Sequence, residues 1–196
     1  MPTSSLLDIQ SLRFSYPGRE LFTDLSASIK PGITFVRGGD GRGKTTLLRL
    51  LAGDLKPSSG QLKITTQVFW VDPRTEAFDQ LTGDEFFKSQ RVTFPEFDYA
   101  LVNKLLDGLD LASHISKKLY MLSTGSKRKV YIAAAFASCA AVTLIDMPFA
   151  AVDKPSINFI LELLHEAADK TDRAFVVADY EAPAGVRLSG VIALGD

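Results

Sequence analysis

The stretch Gly38-Gly39-Asp40-Gly41-Arg42-Gly43-Lys44-Thr45 decides the fold, because it fits the pattern G-x-x-x-x-G-K-[ST]. It follows the short apolar run 33–36 and precedes residues 45–52, whose apolar spacing predicts a helix. In such a loop the glycines let backbone N–H groups turn toward phosphate oxygens, and the helix start adds partial positive charge. We therefore predict a strand, a phosphate-binding loop and a helix, in that order.

The side chains of this phosphate loop predict the contacts of a magnesium nucleotide. Lys44 is expected to reach the β and γ phosphates, and the Thr45 hydroxyl is expected to ligate Mg²⁺. The candidate nucleotide-binding residues of the loop are Gly38, Gly39, Asp40, Gly41, Arg42, Gly43, Lys44, Thr45 and Thr46. The alternative is a glycine-rich turn that precedes a lysine by chance, and the strand–loop–helix context argues against it.

Composition indicates one globular domain without a strong charge of either sign. The 196 residues are 46% hydrophobic and 23% charged, with a formal net charge of −1, so no basic field for nucleic acid or lipid is expected. Cys139 lies in an apolar run and is expected in the core, in a reducing compartment. Residues 1–5 lack a signal-peptide pattern, and the longest uncharged run, 130–145, is too short for a membrane span. We expect a soluble chain that reaches a membrane only through a partner.

Apolar patterning predicts an α/β fold. Strands are predicted at 6–14, 22–29, 33–36, 61–71 (one or two strands), 142–145, 174–177 and 191–194, and helices at 45–52, 99–109, 124–141 and 155–169. Alternation of strands and helices favours a mainly parallel sheet, while the strand-rich start suggests an antiparallel flank. The helical segment 82–119 is interpreted as an insertion. The single domain 1–196 is therefore divided into a core, 1–81 and 120–196, and a helical subdomain, 82–119.

Three further segments resemble the ABC transporter ATPases, and the resemblance runs over nearly the whole chain. Residues 122–129 (Leu-Ser-Thr-Gly-Ser-Lys-Arg-Lys) resemble the signature motif, 142–146 the Walker B strand, and 149–153 the D-loop. The resemblance implies a P-loop NTPase fold, the ABC ATPase head, with a parallel core, an antiparallel β flank and a helical insertion. It also implies ATP as the nucleotide and a head-to-tail dimer, in which each ATP lies between one subunit's phosphate loop and the other's signature motif.

The same resemblance implies roles for residues outside the phosphate loop. Tyr16 would stack on adenine, and Asp146 would join Thr45 in holding Mg²⁺. The signature residues that would contact the partner's ATP are Ser123, Thr124, Gly125 and Ser126. A serine hydroxyl and a glycine N–H at a helix start form an anion site. The alternatives are a surface-strand tyrosine for Tyr16 and an ordinary helix cap for Ser123.

Two departures from the family pattern concern hydrolysis directly. Met147 follows Asp146, where the family carries the glutamate that polarises the attacking water. Asp179 takes the position of the histidine that touches the γ-phosphate, and an ionised carboxylate there would repel phosphate. We therefore name no catalytic residue and expect Mg·ATP to bind while hydrolysis is impaired. Whether the chain is an active ATPase stays open at this point.

Two further departures accompany these, and only the second is mild. Segment 69–74 has no glutamine in register with the family's Mg²⁺-sensing glutamine, since Gln67 and Gln80 are out of place. Thr124 and Ser126 replace the commoner glycine and glutamine of the signature. Neither histidine, His114 or His165, is near the catalytic position. The basic run 127–129 is expected to be a solvated face rather than a nucleic-acid patch.

Three functions remain open. The chain is a transporter subunit whose signature motif completes the site of a competent partner, a non-hydrolysing dimerisation or regulatory module outside transport, or a slow homodimeric ATPase. Segment 45–122 is too short for the coiled coil of a segregation or repair ATPase. The expected partners are a transmembrane transporter subunit and a second ABC ATPase, in a homodimer or heterodimer, and the expected location is cytoplasmic, peripheral at the inner face of the membrane. Residues 21–26 and the compact length resemble bacterial haem-exporter ATPases of cytochrome c maturation.

Overall fold

Two sheets and five helices form the part of the chain that the computed structural model describes, residues 5–195. Residues 1–4, part of the segment expected to lack a signal peptide, and residue 196 lie outside it. In chain order the elements are β1 (Leu7–Tyr16), β2 (Arg19–Ile29), β3 (Gly32–Arg37), α1 (Lys44–Leu51), β4 (Ser59–Ile64), β5 (Val68–Phe69), α2 (Gly83–Thr93), α3 (Tyr99–Gly108), a 3₁₀ turn (Leu119–Met121), α4 (Thr124–Ala137), β6 (Val142–Asp146), α5 (Lys154–Ala168), β7 (Ala174–Asp179) and β8 (Leu188–Ala193).

The sheets confirm the predicted α/β class. β2, β1 and β4 form an antiparallel sheet in that order, while β5, β6, β7, β3 and β8 form a sheet whose neighbours are all parallel. The predicted strand 61–71 is two strands, β4 and β5, and they belong to different sheets. The parallel pairing places the carboxyl ends of β3, β6 and β7 at one edge, where the phosphate loop begins.

The parallel sheet separates two apolar cores. Leu144 and Val176 belong to the core that contains α1 and the buried face of the antiparallel sheet. Ile145 and Val177, the next residue on each strand, belong to the core that contains α2 to α5. Successive side chains of a strand lie on opposite faces, so β6 and β7 are covered on both sides and are buried at every position.

The segment between β5 and α4 is only partly helical. α2 begins with a reciprocal cap between Thr82 and Glu85, and its Phe86 packs against Tyr131 of α4, with ring centroids 5.3 Å apart. α3 ends at Gly108, and turns occupy most of the chain from there to the 3₁₀ turn. Thr82 also bridges to Lys118, so the two ends of the segment lie side by side. The boundaries of a separate helical subdomain stay a prediction.

The predicted helix 124–141 is too long. α4 ends at Ala137, because the Ser138 hydroxyl donates to the Ala135 carbonyl at 2.8 Å and accepts the Ala140 N–H at 3.2 Å, closing a turn. Cys139 has a left-handed φ of 52° in this turn and is partly exposed, so its predicted place in the core is wrong. Within the described residues, no helix combines the length and apolar character that a membrane crossing requires.

Candidate nucleotide site

The phosphate loop lies between β3 and α1, as its sequence predicts. Gly43, the last residue before the helix, has a φ of 96°. A Cβ at this position would lie 2.7 Å from Leu21 Cδ2 and 2.8 Å from Phe22 Cζ, so both the backbone and the packing require glycine. Leu47 donates its N–H to the Gly43 carbonyl at 2.7 Å. The helix therefore starts directly at Lys44, with its first N–H groups at the loop.

A cavity of about 520 Å³ opens at this loop and is the candidate nucleotide cavity. Its volume is within the range of small-molecule sites. Its lining residues are Tyr16, Arg19, Leu21, Gly39, Asp40, Gly41, Gly43, Lys44, Thr45, Thr46, Arg49, Arg74, Met147 and Tyr180. Of the predicted loop residues, only Gly38 and Arg42 are not among them. Gly38 still contributes its carbonyl to Lys44, whereas Arg42 is exposed.

The Lys44 side chain reaches back from the start of α1 to the backbone of the loop. It is buried, and Nζ donates to the carbonyls of Gly38 at 2.6 Å and Gly39 at 3.0 Å. The ring of Tyr180 covers a further side of the ammonium, with Nζ 4.1 Å from the ring centroid. The one cation that the sequence assigns to the phosphates is therefore held by two backbone acceptors and one aromatic face.

Thr45 and Asp146 meet beside the loop, where α1 begins and β6 ends. Thr45 Oγ1 donates to Asp146 Oδ2 at 2.6 Å, and the other carboxylate oxygen, Oδ1, is buried without a hydrogen-bond partner. Burial raises the pKa of Asp146, and the Thr45 hydrogen bond opposes that rise. A hydroxyl and a carboxylate with a free oxygen suit Mg²⁺, which commonly completes its shell with phosphate oxygens and water. Among the described residues, no group of three or more His, Cys, Asp or Glu side chains could hold a metal.

Asp146→Asn is expected to stabilise the nucleotide-free protein while it weakens magnesium-dependent binding. A raised pKa means that folding disfavours the charged carboxylate of Asp146. The charged form therefore lowers the free energy of unfolding at neutral pH, and this destabilisation disappears as the pH falls below the ordinary pKa of 3.8. The amide still accepts the Thr45 hydroxyl but is a poor Mg²⁺ ligand. Thermal unfolding should show a higher Tm for the variant at pH 7, with the difference shrinking toward pH 4. An unchanged or lower Tm of the variant at pH 7 would show that the buried charge of Asp146 does not destabilise the nucleotide-free protein.

Tyr16 lines the cavity from the end of β1. Its hydroxyl lies 3.3 Å from Thr46 Oγ1, and its ring packs edge-on against Phe14 with centroids 4.9 Å apart. The side chain is 39% exposed, which leaves a ring surface toward the cavity. The position is compatible with adenine stacking, and that role stays a prediction.

The two positions where the family carries glutamate and histidine differ in their relation to the cavity. Met147 lines it and has a left-handed φ of 49°, with its N–H donating to the Ala178 carbonyl at 2.7 Å. Asp179 is buried and lines a neighbouring cavity instead. Its Oδ1 accepts the Tyr180 N–H at 2.7 Å, and burial raises its pKa. From this segment it is Tyr180, not Asp179, that lines the nucleotide cavity.

Sequence reasoning missed several lining residues, above all the arginines. Arg19, at the start of β2, donates to the Gly41 carbonyl at 2.7 Å. Arg74 follows β5 in the segment that lacks the expected glutamine, and Asp72 Oδ1 accepts both its N–H at 2.9 Å and its Nε at 3.3 Å. With Arg49 of α1 they add positive charge to the cavity lining, which suits phosphate groups. Their spacing in the sequence carries no motif, so no local signal identifies them.

The glutamines and histidines considered as substitutes for the missing family residues lie outside the nucleotide cavity. Gln67 Nε2 donates to the Thr93 carbonyl at 3.2 Å, and Gln80 accepts from Lys118 at 3.4 Å. Neither glutamine lines the nucleotide cavity, as the sequence predicts. His114 lies 3.1 Å from Lys117 Nζ, and His165 is exposed on α5.

The signature residues form the first turn of α4, outside the nucleotide cavity of their own chain. Ser123 caps the helix, because its hydroxyl oxygen accepts the Ser126 N–H at 3.1 Å, and it also donates to Ser126 Oγ at 3.0 Å. Gly125 touches the D-loop so closely that an added Cβ would lie 2.1 Å from the Ala151 carbonyl oxygen. The motif is thus a capped helix start packed directly on the D-loop backbone.

The basic run 127–129 is not a solvated face, so that prediction is wrong. Lys127 pairs with Asp79 and donates to the Thr75 carbonyl at 2.8 Å. Arg128 donates to the Ala150 carbonyl of the D-loop, and burial lowers its pKa. The buried Lys129 pairs with Asp153 at 2.9 Å. Each cation is held by an acceptor from a distant part of the chain, which a charge pattern cannot reveal.

Comparisons with known proteins agree with this geometry. Residues 22–150 match the family model described as "ABC transporter". The chain is 24% identical over 187 residues to "ABC transporter ATP-binding protein YtrB" of Bacillus subtilis (strain 168), covering 89% of this chain and 63% of that protein. It is 26% identical over 204 residues to "Taurine import ATP-binding protein TauB" of Pseudomonas putida, covering 97% of this chain and 78% of that protein. Neither name mentions haem export, so that part of the resemblance stays a prediction.

Solved structures share the fold. A structure described as "ATP binding subunit of ABC transporter" superposes with a TM-score of 0.77 at 21% identity, covering 89% of this chain and 79% of the other. The shared fold includes the parallel sheet and antiparallel flank described above. Since the family model spans well over half of the residues, the chain belongs to the ABC transporter family as an ATP-binding domain.

Proposed function

We propose that this chain is the Mg·ATP-binding subunit of an import-type ABC transporter, with ATP hydrolysis in its own site impaired. One observation carries the proposal: Lys44, Thr45 and Met147 line the same cavity, with Asp146 bonded to Thr45. The groups that hold a magnesium triphosphate are present, and the position that would supply the catalytic base carries a thioether. A thioether neither takes a proton from water nor orients it.

The binding half rests on the fit of the loop to phosphate and magnesium. Backbone N–H groups of the helix start, the Lys44 ammonium and the arginines supply donors for the phosphate oxygens. Thr45 and Asp146 would hold the ion, which when bound neutralises charge on the β and γ phosphates. The buried, unpartnered Asp146 Oδ1 supports this, because such an oxygen otherwise costs free energy.

The proposal that hydrolysis is impaired rests on the acidic residues near the cavity. Asp40 is the one carboxylate among the lining residues, and its Oδ1 accepts the Tyr180 hydroxyl. It belongs to the loop that would enclose the phosphates, not to the end of β6, where the family carries its base. Asp179 lies in the neighbouring cavity with a raised pKa. None of these groups supports the transfer of a proton from an attacking water.

The proposed contribution of this chain to a partner's ATP site rests on the signature motif. Ser123 and Gly125 begin α4 outside the cavity of their own chain, and their hydroxyl and N–H groups are suited to the γ-phosphate of ATP held by a second ABC ATPase, in a homodimer or a heterodimer. A relative named for taurine import favours transport, with a transmembrane subunit as a further partner, over a regulatory module.

Calorimetry with Mg·ATP tests the binding half. The wild type is expected to bind with a micromolar to millimolar Kd, and Lys44→Ala is expected to weaken binding by roughly 10- to 100-fold, because a charge-assisted contact to phosphate is lost. Lys30→Ala is the matched control, because Lys30 is also a lysine but is exposed and does not line the cavity. It should stay within about 3-fold of the wild type. A folded wild type that shows no binding, or equal losses in both variants, would refute the site.

A further inference from the structure

Tyr180 joins the end of β7 to the phosphate loop by two contacts. Its hydroxyl donates to Asp40 Oδ1, and its ring centroid lies 4.1 Å from Lys44 Nζ. The side chain is nevertheless 46% exposed, so burial in the core does not hold it there. A cation over a ring face at this distance is an attractive contact. Both contacts are made with the residues that would receive the phosphates.

The ammonium of Lys44 has few directions left for a ligand. It carries three protons, and the carbonyls of Gly38 and Gly39 accept at 2.6 and 3.0 Å. The Tyr180 ring covers another side. A phosphate oxygen that approaches Nζ therefore competes with the two carbonyls and with the ring. The carbonyls belong to the loop backbone, whereas the ring can turn away about its side-chain bonds.

A place exists for the displaced ring. Tyr180 and Met147 also line the neighbouring cavity of about 480 Å³, whose other lining residues include Phe149, Ile157 and Leu161. The tyrosine thus stands between the nucleotide cavity and a largely apolar space. An aromatic ring packs favourably against apolar side chains, so the ring can leave Lys44 without entering bulk water.

We propose that Tyr180 competes with the β and γ phosphates of ATP for Lys44 and thereby lowers the affinity of this site for nucleotide. The inference rests on the proposed function, because it assumes that ATP binds at this loop. It assigns the residue a role in setting affinity, through the contact of its ring with Lys44 and of its hydroxyl with Asp40.

Calorimetric titrations of Tyr180→Ala and Tyr180→Phe with Mg·ATP and with AMP test the competition. Tyr180→Ala is expected to bind Mg·ATP roughly 2- to 30-fold more tightly than the wild type, because both contacts are removed. Tyr180→Phe keeps the ring and loses only the hydroxyl contact, so a gain of about 2- to 5-fold is expected. AMP has no β or γ phosphate, which are the groups that reach Lys44, so its Kd should change by less than about 2-fold.

Tyr120→Ala is the matched control, because Tyr120 is 56% exposed on the 3₁₀ turn and lines neither cavity. Its Mg·ATP affinity should equal that of the wild type. Weaker Mg·ATP binding by Tyr180→Phe or Tyr180→Ala would overturn the inference and make the hydroxyl a phosphate ligand. An equal shift for AMP and Mg·ATP would also overturn it. If the wild type binds Mg·ATP and Tyr180→Ala binds no more tightly, the inference fails alone; if no folded variant binds, the proposed function fails with it.

Discussion

Purified alone, this chain is expected to hydrolyse Mg·ATP about 100- to 10,000-fold more slowly than an ABC ATPase that carries the catalytic glutamate. Met147 lines the nucleotide cavity where that carboxylate would act, and its thioether cannot serve as a base. At about 1.36 kcal/mol per decade, the loss amounts to roughly 3–5 kcal/mol of barrier stabilisation. Steady-state phosphate release measures it, with Lys44→Ala as the background. Turnover near that of a glutamate-bearing ATPase, abolished by Lys44→Ala, would refute impaired hydrolysis.

Restoring the carboxylate alone is expected to recover little of this activity. Met147→Glu should raise turnover by less than about 10-fold, because position 179 still carries a buried carboxyl instead of an imidazole and members of one catalytic unit act together. Met147→Gln is the matched control, since glutamine has the same length as glutamate but no basic oxygen. Any strain from the left-handed φ of position 147 is then common to both variants. Met147→Gln should show no gain. Recovery of about 100-fold by the glutamate variant would show that hydrolysis does not need an imidazole at position 179.

Gly125→Ala is expected to lower the free energy of unfolding by roughly 2–4 kcal/mol. The added methyl group would lie 2.1 Å from the Ala151 carbonyl oxygen, which is a backbone atom and cannot rotate away. The first turn of α4 must then separate from the D-loop, against the bonds that Arg128 and Lys129 make to it. Urea unfolding followed by circular dichroism gives the change.

Thr124→Ala is the matched control for this helix turn. Thr124 is exposed, and its replacement adds no atom toward the D-loop, so its stability should stay within about 0.5 kcal/mol of the wild type. A Gly125→Ala protein as stable as the control would mean that the helix and the D-loop separate at little cost. The signature turn would then be a loosely placed element.

The phosphate loop could be predicted from the sequence because its geometry is local. Eight consecutive residues fix the turn, and glycine is required where the chain adopts left-handed φ, as at Gly43. The resemblance of residues 142–146 to a Walker B strand likewise predicted that Asp146 joins Thr45 at one site. The two side chains meet at 2.6 Å, and their role as Mg²⁺ ligands stays a prediction. In both cases a short motif carries enough information, because each part of it serves one chemical contact.

Tyr180 shows why the rest could not be predicted. It meets Asp40 across 140 residues of chain, because β7 pairs with β3 in a register that sets Asp179 beside Arg37, just before the loop. Strand order and register follow from the packing of the whole sheet, and no pattern around residue 180 reports them. Arg74 is a similar case, since its place in the cavity depends on where β5 joins the sheet.

The three cations at the start of α4 have a consequence for association. Lys127 anchors this turn to the chain after β5, Arg128 anchors it to the D-loop, and Lys129 anchors it to the start of α5. A turn held from three directions loses little freedom when another molecule binds it, so the entropic penalty of docking is met during folding. The first turn of α4 is thereby pre-organised when the chain folds.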